Sequence, residues 1–201
     1  MLLLSIYYVL LSKYSSSEDI VIGSPVIGRD IADTYNLIGM FVNTLALRNK
    51  IDFNSSFKDF IFEVKNNLLN AYKYQTYPFD ELVNKLNIKR DTSRNPLFDT
   101  MFTYQNNGYK DMKLNGIKAE YYIPDTNTSK FDLSLEAVPY NDEIKLTFEY
   151  ATSLFDEDFI ETSSPWSVRK RRTSATRCTP THCSPIRMRS SKPSKKSFQV
   201  T

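Results

Sequence analysis

The 201-residue sequence predicts an α/β fold, a mixed sheet flanked by helices, followed by a disordered basic tail. Three observations carry this. Phe57, Phe60, Ile61, Val64, Leu68, Ala71 and Tyr72 recur at intervals of three and four, which lines one face of a helix. Phe131-Leu133-Leu135-Ala137 and Ile144-Leu146-Phe148-Tyr150 alternate with polar positions across a Pro139-Tyr140-Asn141-Asp142 turn, the pattern of an antiparallel hairpin. Charge then divides the chain, since 10 of its 26 Lys and Arg fall in 163–201, which has no Asp or Glu, leaving 16 basic against 23 acidic residues in 1–162. With 41% hydrophobic and 13% aromatic content the body can bury a core. The tail, rich in Ser, Thr, Pro and Arg, cannot offset its ordering entropy by burial.

Taken in order, Leu2 to Leu11 reads as an amphipathic or buried helix ending at the polar stop Lys13-Tyr14-Ser15-Ser16-Ser17. No basic residue precedes it and no small-residue cleavage site follows, which argues against a secretory signal, and it is too short to span a bilayer. Asp19 to Val26 is a β-branched apolar run bounded by Gly and Pro and reads as a buried strand. A polar loop with Gly28, Arg29 and Asp30 follows, and Phe41 to Arg48 resumes a strand pattern. Ser56 caps the long helix, with Asp59 favoured at the positive end of its dipole. Pro78 interrupts, and Phe79 to Leu86 suits a short helix with Leu82, Val83 and Leu86 inward. From Phe98 to Tyr104 both faces are largely apolar, as in a central strand. Ile117 to Ile123 is a weaker strand, and Leu154 to Ile160 starts a helix that the sequence does not continue.

Three segments in fixed order carry a resemblance: Ile38-Gly39-Met40-Phe41-Val42-Asn43-Thr44-Leu45-Ala46-Leu47-Arg48, Tyr74-Gln75-Thr76-Tyr77-Pro78-Phe79-Asp80 and Arg90-Asp91-Thr92-Ser93-Arg94-Asn95-Pro96-Leu97. Together with Asp19 to Arg29, Phe131-Asp132-Leu133 and Tyr150 to Asp156, they resemble the C-terminal half of a nonribosomal peptide synthetase condensation domain over residues 2 to 160. The resemblance implies the C-terminal lobe of a chloramphenicol-acetyltransferase-like two-lobe fold. It implies a parent function too, amide (peptide) bond formation between carrier-bound aminoacyl or peptidyl thioesters. Its partners would be a peptidyl carrier protein, a missing N-terminal lobe and adjacent synthetase domains, with the phosphopantetheine arm of the carrier as the implied cofactor and none bound directly. The expected location is cytoplasmic.

The family works with a His-His-x-x-x-Asp-Gly motif, whereas the only histidine here is His182, followed by Cys183 and Ser184. No catalytic residue is assigned, and the chain by itself is expected to be inactive. Asn43 and Thr44 stand where the resemblance places the border of the substrate tunnel; the other reading is that they satisfy strand ends locally. Phe41-Val42-Asn43-Thr44 also resembles the peptide-bond-forming members more than the epimerising or heterocyclising ones, which usually carry a Phe-Thr variant. Arg29 either pairs with an acid across the lobe interface or is a solvated surface residue. Arg48, Pro78, Phe79, Arg90, Asp91, Arg94, Asn95 and Pro96 read as structural parts of the motifs. Asn106 to Lys130 matches the loop that crosses to the other lobe.

Cys178 and Cys183 have only His182 nearby, so a four-ligand zinc site is incomplete and no metal is expected. The junction near Glu161 suggests two parts of unequal kind: residues 1–162 as the partial condensation domain (C-terminal lobe) and 163–201 as a disordered basic tail, either a frameshifted or misjoined sequence or a real tail. Two rival classes stay in view. One is a non-catalytic interaction module that binds a carrier protein or an N-terminal lobe. The other is a nucleic-acid-binding protein acting through Arg169-Lys170-Arg171-Arg172 and Lys195-Lys196, against which the lack of a recognisable module counts.

Overall fold

The computed structural model describes residues 1–29, 32–88, 91, 94–105, 128–140, 143–156 and 169–173. They fall into two compact units, one within Met1–Phe102 and the other within Thr103–Arg177. Helix α1 (Leu2–Ser15) opens the first, burying Leu4, Tyr7, Tyr8 and Leu11. Ser16 ends it in the left-handed region, φ 54°. The apolar N-terminal run is thus a core helix, and among the described residues no helix is long and apolar enough to cross a membrane.

Strand β1 (Asp19–Val26) pairs antiparallel with β2 (Asn43–Lys50), from Asp19 opposite Lys50 to Val26 opposite Asn43. Strand β2 thus starts two residues later than the apolar pattern suggests. Helix α2 (Phe57–Lys73) is capped by Ser56, whose Oγ accepts from the Asp59 amide at 3.2 Å and donates to Asp59 Oδ2 at 2.6 Å. Phe60, Val64 and Leu68 are its buried residues, each worth about 1.5–3 kcal/mol when fully covered. Phe57 and Tyr72, read from sequence as inward, are exposed; Phe57 is the first residue of the helix and Tyr72 the last but one, beyond the buried span. In α3 (Phe79–Lys85) Val83 is buried while Leu86, one residue past the helix, is exposed.

Strand β3 (Thr100–Tyr104) runs parallel to β1, with Met101 opposite Gly23, so the strands of the first unit lie in the order β2-β1-β3. Tyr7 lies 6.1 Å from Phe102 and Tyr8 meets Phe60 edge-on at 6.3 Å, which ties α1 to β3 and α2. Tyr8 also donates to the Leu47 carbonyl at 2.7 Å, and Asn67 donates to the buried Asn49 at 2.6 Å. These bonds satisfy polar atoms that burial would otherwise penalise.

In the second unit the Gln105 amide donates to the Ala137 carbonyl at 2.9 Å beside β4 (Leu133–Tyr140). Strand β4 pairs antiparallel with β5 (Glu143–Ala151), and Leu133, Leu135, Ala137, Leu146, Phe148 and Tyr150 are buried, as the alternation predicts, whereas Ile144, near the turn end of β5, is exposed. Within the stretch expected to be disordered, Arg169–Thr173 forms a short strand, β6, parallel to β5 with Arg169 opposite Thr147. A strand can form there because pairing with an open sheet edge uses backbone groups, which ask little of side-chain composition. The weak strand at Ile117 to Ile123, the crossing loop, most of the terminal helix and the rest of the tail lie outside the described residues.

Candidate functional site

The site is built on the loop between β1 and β2. The chain leaves β1 after Val26 and returns at Asn43, its partner in the ladder, so a sixteen-residue excursion is closed at its neck by strand pairing. Gly28 turns the chain with φ +64°, and a side chain there would strike the Phe41 carbonyl. Arg29 fastens the loop from inside. Its guanidinium donates to the carbonyls of Thr34 and Leu37, the latter at 2.9 Å, and lies 4.0 Å from the centroid of the Phe41 ring.

Within the described residues Arg29 is therefore turned to its own loop. It is half-buried, and Nη1 and Nη2 each donate to a carbonyl of its own loop. The consequence is on the outer side of the loop, where Ile38 is 105% and Met40 91% exposed, with Leu37 and Val42 also open. Apolar side chains on an internally fastened loop form a surface suited to contact.

Asn43 joins the neck of this loop to the next motif. Its Nδ2 donates to the carbonyls of Gln75 at 2.7 Å and Tyr77 at 2.8 Å, while its Oδ1 accepts from the amides of Thr44 at 2.8 Å and Phe79 at 3.3 Å. Phe79 is the first residue of α3, and the preceding Pro78 offers no side-chain cap. Asn43 supplies an acceptor to that otherwise orphaned helix amide from more than thirty residues away. Thr44 stands beside it, half-buried, with its amide held by Asn43. The Asn43 side chain thus satisfies backbone groups across the fold.

The third motif arrives through an aromatic contact. Phe79 and Phe98 lie 5.5 Å apart at 52°, and the Phe98 ring fills the space a side chain on Gly23 would need. Pro96 accepts from the Phe98 amide at 3.0 Å. Arg94 forks onto Asp99 through Nε and Nη2, and its amide donates to the Asp91 carbonyl at 3.2 Å. Asn95 follows, half-buried, and Arg90 lies outside the described residues. Three motif segments and β1 thus converge through Asn43, Phe79, Phe98 and Gly23. Sequence reading missed the last contact, although a glycine in a β-branched strand signals close approach.

At the far end of β2, Arg48 grips Asp19 with Nε to Oδ1 at 2.9 Å and Nη2 to Oδ2 at 2.6 Å. The hydrogen bond and charge of Arg48 hold the Asp19 carboxyl below its ordinary value, and Asp19 raises Arg48 in return. Burial pushes the Tyr7 and Tyr8 phenols well above theirs. Among the described residues no group of three or more His, Cys, Asp or Glu is placed to hold a metal. Cys178, His182 and Cys183 lie outside them.

A family model described as Condensation domain matches residues 1–169. The chain is 50% identical over 161 residues to gramicidin S synthase 2 of Brevibacillus brevis, covering 80% of this chain and 4% of that protein. It is 46% identical over 160 residues to surfactin synthase subunit 2 of Bacillus subtilis (strain 168), covering 80% and 4%. Among solved structures it resembles holo-AB3403, a four domain nonribosomal peptide synthetase bound to AMP and glycine, with TM-score 0.70 and 27% identity over 81% of this chain and 14% of that one. It shares its fold with the starter condensation domain of rhizomide synthetase RzmA, with TM-score 0.65 and 19% identity over 80% of this chain and 38% of that one. The chain spans a few per cent of the length of these synthases and just over a third of the RzmA domain. The Asn43 junction and the loop it closes fall inside the matched region, and the chain belongs to the condensation domain family of nonribosomal peptide synthetases.

Proposed function

We propose that this chain supplies the C-terminal part of a domain that forms amide bonds between carrier-protein-bound aminoacyl or peptidyl thioesters. The observation that carries this reading is the Asn43 junction. It joins the Phe-Val-Asn-Thr and Tyr-Pro-Phe-Asp segments that distinguish the family and holds the apolar crest of Ile38, Met40 and Val42 outward. In such a domain the amine of one carrier-bound unit attacks the thioester carbonyl of the other. The thiol of the phosphopantetheine arm leaves, and the amine proton needs an acceptor. The described residues place no histidine at this site, so the proton acceptor belongs to the complementary part of the domain. The role of Asn43, Arg29 and Thr44 is to shape and hold one wall, with Asn43 and Arg29 acting as positioning residues.

The test is reconstitution. The 201-residue chain is co-expressed with the N-terminal part of a related condensation domain and given two loaded carrier proteins, and amide product is followed by mass spectrometry. Product is expected from the pair and none from the chain alone; product from the chain alone, or none from a stably assembled pair, overturns the proposal.

The exposed crest also favours a second reading, a non-catalytic interaction module that binds an N-terminal lobe or a carrier protein. Stable co-purification with such a partner, with no product, would select it.

A further inference from the structure

Strand β5 has two edges. One pairs with β4, from Glu143 opposite Tyr140 to Tyr150 opposite Leu133. The other is covered from Thr147 to Ala151 by β6, in parallel register. Residues 152–168 join the two strands, more than the roughly dozen that a parallel crossover requires. Without β6 this edge would present unpaired backbone groups to any extended segment that reached it. Charge adds a preference to that backbone template. Arg169 to Arg172 are four consecutive cations, on a chain whose residues 1–162 hold 16 Lys and Arg against 23 Asp and Glu. The register sets Arg171 opposite Glu149 and Arg169 opposite Thr147, which in turn stands opposite Glu136 on β4. Both glutamates alternate with buried residues and are partly open, and Glu136 also accepts from Gln105 Nε2 at 3.3 Å. Lys145, the cation of β5 itself, lies before the stretch that β6 covers.

We propose that this edge of β5 is a binding site for extended basic peptide segments, which add to the sheet as a parallel strand, and that residues 169–173 are its tethered occupant. Backbone pairing supplies the contact and fixes its direction. The carboxylates at 136 and 149 favour a strand that carries cations, whereas an acidic strand would set like charges opposite each other. Parallel pairing is the weaker kind, so five residues held this way are exchangeable. What keeps the occupant in place is its tether, which acts as an effective concentration of about the millimolar scale. Free peptide therefore gains the edge only once the tethered strand is disabled. A run of cations on β6 also repels the same run on a second copy, so the sheet ends there. This binding does not depend on whether the chain takes part in amide formation.

The test uses the full chain, its variant Lys170→Pro/Arg171→Pro and a fluorescent synthetic peptide spanning Ser167 to Arg177. Two adjacent prolines remove an amide of either parity, so one of them interrupts the ladder whichever way the strand faces. By fluorescence anisotropy the variant should bind the peptide at least tenfold more tightly than wild type, and less tightly as salt rises. A peptide N-methylated at Lys170 and Arg171 keeps every charge and loses those donors, and it should not bind. Adding Glu136→Gln/Glu149→Gln to the proline variant should weaken binding by roughly fivefold. Equal binding of the plain and N-methylated peptides would show charge attraction alone and overturn the proposal. So would a variant that takes up no peptide, or one that pairs with a second copy instead. Hydrogen exchange on the wild-type chain needs no variant: the amides of 169–173 should exchange more slowly than in the free peptide, and equal rates would also overturn it.

Discussion

Asn43 accepts a hydrogen bond from the backbone amide of Phe79 at 3.3 Å, so one side chain at the start of β2 caps a helix that begins thirty-six residues later. Its amide nitrogen holds the Gln75 and Tyr77 carbonyls of the same corner. Asn43→Ala should destabilise the fold by about 1–2 kcal/mol, since several backbone groups lose a partner at a partly open position. Asn43→Asp keeps the acceptor but turns an oxygen toward two carbonyls, so it should be at least as harmful at neutral pH and recover in part once the carboxyl is protonated in acid. Urea unfolding at both pH values checks this, and an Asn43→Asp variant as stable as wild type at neutral pH would refute the bonding pattern.

Gly23 and Phe98 compete for one volume. Gly23→Ala places a methyl group against the Phe98 ring and should cost about 1–3 kcal/mol through overpacking. The double variant Gly23→Ala/Phe98→Leu should be more stable than the sum of the single changes implies, because the two sites touch. A strictly additive double-mutant cycle by thermal or urea unfolding would contradict the contact.

Tyr8→Phe removes the donor to the buried Leu47 carbonyl and should cost about 1–2 kcal/mol. The same burial predicts an alkaline limit. A phenol whose folded pKa is raised contributes stability that is present below the unfolded value of about 10 and is lost as pH rises beyond it. Ultraviolet titration should show Tyr7 and Tyr8 ionising only with unfolding; their reversible ionisation in the folded chain near pH 10 would count against the packing of α1.

The fork between Arg48 and Asp19 is exposed, and its effect should be small. Because the Asp19 carboxyl is held below its ordinary value, its contribution is present above the unfolded pKa of about 3.9 and fades as pH falls through the lower folded one. Asp19→Asn should therefore lower the urea midpoint slightly at neutral pH. The difference should vanish in strong acid and shrink in high salt. A difference that persists in strong acid would point to a cause other than charge.

Much of this protein was written in the order of its side chains. The three- and four-residue recurrence from Phe60 to Leu68 determined α2, Ser56 and Asp59 determined where it starts, and alternation from Leu133 to Tyr150 determined the β4–β5 hairpin, because each pattern is local and its period matches one backbone geometry. The motif segments determined the family. What tertiary structure alone decided is where those motifs meet. The carbonyls that Asn43 binds belong to the backbone and carry no sequence signal, and the same holds for the loop carbonyls to which Arg29 donates. The exposure of Phe57 and Tyr72 was likewise hidden, since the helical period puts both on the inward face and only packing decides how far along the helix that face is covered.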